Sequence, residues 1–312
     1  MKVAVLVGCF LLGCGSVSAI PKDGGTGGGP SGGAGGPPAT GAGGEAGAGS
    51  TGAGGTEKVD AAGAGGLGGT GAAGAAGGAP ASPFGCPADS TLRACFLFDE
   101  GTGTSIADGS GNGNTGTSSA GWTTGISGTA AVITSVSQTI VVPPSATLDF
   151  GGATTIEAWV NPSATASAAT NNATLVTKFD PTSGNGWALT DESGYPNVGS
   201  DTGLFSVAAK TALPQGAWTH LAAVADGTDI SLFVNGSPVV LYQGGLTGTP
   251  WSPRPGTFSS TTYEVEIGNW NPGNASGVFY GAIDVVRIYA RAKTAQEICA
   301  DANRSWSAGT CS

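Results

Sequence analysis

Positive charge is scarce in this chain of 312 residues: 11 lysines and arginines face 21 aspartates and glutamates, and 10% of residues are charged at all. Such an acidic surface repels phosphate backbones, so nucleic acid is excluded as a partner. The one apolar run, near the N-terminus, is too short to span a bilayer as a retained helix. No C-x-x-C pair occurs, which argues against zinc knuckles and thioredoxin-type sites. No G-x-S-x-G marks a nucleophile elbow. His220 is the only histidine. Without a Ser or Cys nucleophile motif nearby, it reads as a half-buried strand residue hydrogen-bonded to a neighbour.

Glycine is abundant, with 58 residues, but unevenly placed. Residues 20–84 are almost entirely Gly, Ala, Thr, Ser and Pro, as in "GGTGGGPSGGAGGPPATGAGG". No large apolar side chain recurs there to offset the entropy of ordering the backbone. The segment reads as a disordered tether of roughly 40 Å root-mean-square span. It lacks the three-residue glycine period of collagen. Before it, residues 1–19 carry one lysine and a short apolar run ending in small residues, an export signal. "LLGC" resembles a bacterial lipobox that would make Cys14 the lipidated first residue of a surface or outer-membrane lipoprotein. "VSA" before Ile20 would instead release a soluble, secreted protein. Membrane contact would come only through that lipid anchor, if Cys14 is acylated.

Residues 85–312 are long enough for one sizeable core. From Cys86 onward eight basic residues face seventeen acidic ones, a formal charge of −9. Cys86, Cys95, Cys299 and Cys311 form an even set, which in an exported protein indicates disulfides with three possible connectivities. The nested pairing, Cys86 with Cys311 and Cys95 with Cys299, is the preferred expectation because it would clamp the two ends together. Short alternating runs such as "TTIEAWVNP", "THLAAVAD", "DISLFVNGSPVVLY" and "AIDVVRIYA" read as strands. Asn235-Gly236 suits a type I′ hairpin turn. "TAQEICADANR" is the one convincing helical turn. Some ten strands without βα alternation predict an all-β, antiparallel two-sheet sandwich of the jelly-roll kind, expected to be monomeric.

"GNGNTG", residues 111–116, matches the dinucleotide-binding fingerprint G-x-G-x-x-G. That motif works only where a strand feeds the glycines into a helix. The turn-rich "TSSAGWTTGISG" that follows cannot start one. The surrounding "DEGTGTSIADGSGNGN" interleaves oxygen ligands with permissive glycines, which suits a calcium loop. Asp108 and Asn112 offer the side-chain oxygens. The plainer alternative is an Asx turn at Asp108.

Four ordered segments, "FLFDEGTGTSIADGSGNGNTG", "LDFGGATTIEAWVNPS", "GAWTHLAAVADGTDISLFVNGSPV" and "FYGAIDVVRIYARAKTAQEI", resemble the signature segments of LamG-like jelly rolls in the concanavalin A-like lectin/glucanase superfamily. The resemblance covers Leu92 to Arg304. It implies the fold, but that fold hosts lectins, adhesion modules, glycosidases and lyases. It also implies a structural Ca2+ near the glycine loop. The family's matching acid in the closing strand would be Asp284, brought beside Asp108 because first and last strands are neighbours, with Glu100 a weaker addition.

Laminarinase-type relatives carry E-x-D-x-E on one strand. The nearest match here is "YEVEIGN", where Glu264 and Glu266 share a face. The middle acid is missing, so this pair stands as an alternative catalytic site, and no catalytic residue is the first expectation. Ligand binding fits better: sugar rings stack on aromatic faces while amides read hydroxyls. Trp270, flanked by Asn269, Asn271 and Asn274, is the leading candidate. Trp187, Trp251, Tyr195 and Tyr280 are further loop aromatics, whereas Trp122, Trp159 and Trp218 are assigned to the core or its margins. The expectation is a tethered, non-catalytic module that binds carbohydrate or a cell-surface protein. The alternatives are a polysaccharide hydrolase or lyase and a structural envelope or adhesion component.

Overall fold

The computed structural model describes residues 82–163, 173–200, 205–208, 212–243, 247–273 and 275–312. The export signal, Cys14, nearly all of the glycine-rich segment and Asn274 lie outside them.

Two large antiparallel sheets face each other, as the strand pattern predicts. In the first sheet the spatial order is Ser237–Val239, Asp229–Val234, Thr219–Ala225, Thr154–Pro162, Gly281–Tyr289, Thr129–Ile133 and Gly121–Thr124. Leu92–Phe96 pairs with Gly281–Tyr289, so the first and last long strands are indeed neighbours. In the second sheet the order is Thr249–Trp251, Leu241–Gln243, Phe205–Ala208, Tyr195–Ser200, Gly186–Glu192, Ala173–Phe179, Val265–Ile267, Ile140–Val142, Gly116–Ser118 and Ser105–Ile106.

Period-two alternation decides what lies between the sheets. Ile156, Ala158 and Val160 enter the shared core from one strand, and Leu221, Ala223 and Ala225 from its neighbour. Leu189, Val198, Val265 and Ile267 meet them from the second sheet. Two bulges interrupt the alternation. Between Asp284 and Arg287 the register shifts and Val285 takes φ 48°, so both charged side chains reach the outer face although they are three positions apart. Between Thr174 and Val176 a second shift lets Leu175 and Val176 both enter the core while Thr174 and Thr177 both face out.

The Asn235-Gly236 turn has φ 49° and 80°, the two positive values a type I′ hairpin requires. The helix Ala295–Asp301 starts at Thr294, whose hydroxyl accepts from the Glu297 N–H while the Glu297 carboxylate accepts from the Thr294 N–H. Its Ile298 packs on Ala222, Val224 and Phe233, covering the outer face of the first sheet.

The disulfides correct the nested expectation: Cys86 joins Cys95 and Cys299 joins Cys311. The reason is positional. Cys95 lies opposite Arg287 within the first sheet, and the Cys86 sulfur packs against Gly109. Cys311 packs on the Gly236 turn beside the helix that carries Cys299. Each end of the domain is therefore fastened to its own neighbourhood.

A candidate ligand-binding face

Trp270 is 42% exposed, the most exposed large apolar side chain among the described residues. Its loop is held rigid from below. Asn269 is fully buried, its Nδ2 donating to the carbonyls of Val136 (2.8 Å) and Gln138 (3.0 Å), its Oδ1 accepting from the Asn271 N–H (2.9 Å). Thr139 Oγ1 donates to the Asn269 carbonyl at 2.6 Å. Gly277, at φ 92°, lies directly under the indole, where any Cβ would collide with the ring. The ring rests on backbone at Gly277 and is otherwise partly open to solvent. Asn269 is thus a scaffold for the platform rather than a reader of hydroxyls, a correction to its expected role. Asn271 sits half-buried next to the ring.

The platform adjoins the outer face of the second sheet. The Gly277 carbonyl accepts from the Thr174 N–H at 3.0 Å. Thr174 opposes Thr190, which opposes Asn197, and all three point away from the core. They are buried, and Thr174 Oγ1, Thr190 Oγ1 and Asn197 Oδ1 have no hydrogen-bond partner. An unsatisfied buried polar atom costs about 1–3 kcal/mol, and this row lies beneath the surface, out of reach of solvent. Asn197 Nδ2 donates to Glu192 at 3.0 Å, which fixes the amide's orientation. Sequence reading missed these residues, because threonine and asparagine on a strand look like ordinary solvent-facing positions.

The other aromatic candidates divide. Trp187 is 1% exposed and belongs to the core, facing Lys178 across the ladder; burial overturns its reading as a loop contact. Trp251 is half-buried at the sheet edge, with the Arg254 guanidinium 5.9 Å from its ring centroid. Tyr195, half-buried, starts the strand that carries Asn197. Tyr280 is half-buried beside Gly281, and its carbonyl accepts from the Ser163 N–H.

The glycine loop proves to be a stitched turn. Asp108 Oδ1 accepts from the N–H groups of Cys95 (3.0 Å) and Ser110 (2.9 Å). Its Oδ2 accepts from Ser110 Oγ (2.9 Å) and the Asn114 N–H (2.8 Å). Asn112 Nδ2 donates to the Leu92 carbonyl at 2.8 Å, and Glu100 accepts from the Ala107 N–H. Asp284 is fully buried elsewhere, accepting from the N–H groups of Ile126, Ser127 and Val285. Burial pushes its carboxyl up to about 7 against those bonds. Among the described residues no three His, Cys, Asp or Glu side chains converge as a metal cage. Asp108 and Asp284 spend their oxygens on different loops, so the set does not fit a calcium ion.

Glu264 and Glu266 lie as the alternation predicts, with Val265 and Ile267 turned into the core. Glu266 is 8% exposed, and burial followed by the charge of Glu264 pushes its carboxyl up to about 8. His220 departs from its expected role: it is fully buried, 5.3 Å from the Trp159 ring, with neither ring nitrogen hydrogen-bonded. Burial holds it neutral, its pKa lowered to about 3.

A laminin G-type family model, described as concanavalin A-like lectin/glucanases superfamily (Laminin_G_3), matches residues 134–299. The chain belongs to the concanavalin A-like lectin/glucanase superfamily. The curated proteins contain no match to the sequence. Among solved structures, domain 4 of AbnA, a GH43 extracellular arabinanase from Geobacillus stearothermophilus in complex with arabinotriose, is 24% identical with a TM-score of 0.49. The match covers 68% of this chain and 98% of that one. The binding domain of Paraclostridial Mosquitocidal Protein 1 is 16% identical with a TM-score of 0.50, covering 67% of this chain and 51% of that one. The Botulinum neurotoxin serotype G binding domain is 13% identical with a TM-score of 0.46, over 66% and 49%. At these identities the likeness concerns the superfamily's fold alone, and the superfamily's site residues have to be read from this chain.

Proposed function

We propose that residues 85–312 form a non-catalytic carbohydrate-recognition module, exported and displayed on the glycine-rich tether, with Cys14 as the lipid-anchored residue. The observation that carries the reading is the Trp270 platform: an exposed indole seated on Gly277, in a loop held by buried Asn269, with half-buried Asn271 next to it. An exposed aromatic ring with amide side chains next to it is the arrangement that pyranose and furanose rings select. A glycan suits this surface better than a protein does. Among the described residues the exposed large apolar side chains are Val240, Tyr263 and Trp270, which is far short of the aromatic cluster that anchors a protein interface. The two disulfides fit an oxidising, extracytoplasmic setting.

A panel of immobilised glycans tests the reading. Binding of at least one class that Trp270→Ala abolishes supports it, and a panel with no binder overturns it. A second reading, hydrolysis, draws on Glu266 being pushed up to about 8 beside Glu264, as a general acid would be. Release of reducing ends that is lost in Glu264→Gln would favour that reading.

A further inference from the structure

Glu266 points outward from the middle of Val265–Ile267, with Val141 beside it on one neighbouring strand and Thr177 on the other. It is more than nine-tenths buried, and among the described residues the only group acting on its carboxylate is the like charge of Glu264, with no hydrogen bond and no cation. Glu264, two residues earlier, shares its face. The one basic side chain on the adjoining strand, Lys178, turns away to Asp149 at 3.0 Å and to the Tyr263 carbonyl. Asp180, close enough to act on Tyr263, adds no positive charge, and Ile140–Val142 carries no titratable group. The Tyr263 ring, 36% exposed, stands next to the pair.

Burying a carboxylate without a partner is costly, and each other buried acid has one: Asp284 accepts from the N–H groups of Ile126, Ser127 and Val285, Asp191 from that of Gly194, and Glu157 meets cations. Glu157 lies 3.1 Å from Lys293 and 3.6 Å from Arg287. Asp301 pairs with the same two cations. Glu266 is therefore a half-built ion pair, and the missing half is cationic.

We infer that Glu266, with Glu264 and the ring of Tyr263, receives a protonated amino group, so that the bound glycan is a polymer of glucosamine type with free amines. This rests on the carbohydrate reading above and narrows it. An ammonium offers three donors to carboxylate oxygens and binds the face of an aromatic ring. The formal charge of −9 from Cys86 onward draws in a polycation, and the effect weakens with salt. Glu266 and Trp270 are four residues apart, at most about 14 Å of chain. A short oligosaccharide can therefore stack on the indole and reach the carboxylate together.

The test is calorimetric titration of the purified protein with glucosamine oligomers and with their N-acetylated counterparts. The free-amine series is expected to bind at least tenfold more tightly, with a preference that Glu266→Gln erases, Glu264→Gln reduces and Trp270→Ala removes together with all binding. If acetylated oligomers bind as well, or Glu266→Gln keeps the preference, the amine inference fails while the carbohydrate reading stands. The same holds if only other neutral glycans bind in a Trp270-dependent way. If no glycan binds at all, both fail.

Discussion

The two outer faces of the sandwich bury polar groups on opposite principles. On the first sheet, Arg287 donates to the Pro83 and Gly85 carbonyls and meets Glu157 and Asp301. Lys293 completes the set, so two cations neutralise two anions. The helix Ala295–Asp301 closes over this face, and Phe84 packs on Trp159 with ring centroids 5.7 Å apart. On the second sheet, Glu266 has no counter-ion, Thr174, Thr190 and Asn197 keep unpartnered atoms, and Trp270 stands open. The first face has paired its charges within the chain, although Trp159, His220 and Tyr289 keep polar atoms without partners there too. The second leaves a carboxylate without a counter-charge among the described residues and an indole open to solvent, and that difference is what the proposed site is built on.

The largest effect should come from breaking the balanced face. Arg287→Ala leaves Glu157 and Asp301 short of a cation and frees the Pro83–Gly85 segment. Denaturant unfolding should show a loss of about 3–5 kcal/mol. Replacing Cys299 and Cys311 together by serine unfastens the covering helix. A loop of this size is worth about 2–4 kcal/mol in the same assay. A mutant that lost nothing in either case would show that the first face is not what holds the domain closed.

The pH profile sharpens the contrast. Glu266, Asp284 and Asp191 have folded-state values pushed up to about 8, about 7 and about 6, each mainly by burial. Between pH ~4 and ~8 the unfolded chain ionises these groups before the folded one does, so stability falls as pH rises. Glu297, hydrogen-bonded by Arg291, is held down to about 2. Asp89 is also held down to about 2: burial opposes the shift, but bonds from Thr91 and Arg291 prevail. Their contribution is lost as pH falls from ~4 towards 2. Thermal melts should therefore peak near pH ~4–5, and Glu266→Gln should flatten the decline on the alkaline side. Trp270→Ala should change stability by less than about 0.5 kcal/mol while removing binding, since the ring is exposed. Smallest of all, a chelator should leave the melting temperature unmoved; a drop of several degrees would reinstate a metal at Asp108 or Asp284.

Much of this was legible in the sequence. Alternation set Ile156, Ala158 and Val160 on one strand face, the Asn-Gly pair gave the hairpin, and "TAQEICADANR" marked the helix. Trp270 stood out as a loop aromatic among asparagines, and the structure leaves it exposed. Other features were not legible, for physical reasons. A bulge such as the one at Val285 reverses the parity that strand reading relies on, so Arg287 could not be assigned to the outer face. Disulfide pairing depends on where chain ends dock, which spacing does not encode. Asp108 carries the residue type calcium prefers, yet four hydrogen bonds from its own loop and the first strand use its oxygens. Trp187 sits among loop-like glycines but follows its strand into the core.

The most direct measurement is a residue-resolved NMR titration of the labelled domain with a binding oligosaccharide. The account predicts shifts for the Trp270 indole and for the amides of Thr174, Thr177, Thr190, Asn197 and Glu266, with Glu157, His220, Arg287 and Asp301 unmoved. Shifts clustered on the first sheet's outer face, with Trp270 silent, would contradict it.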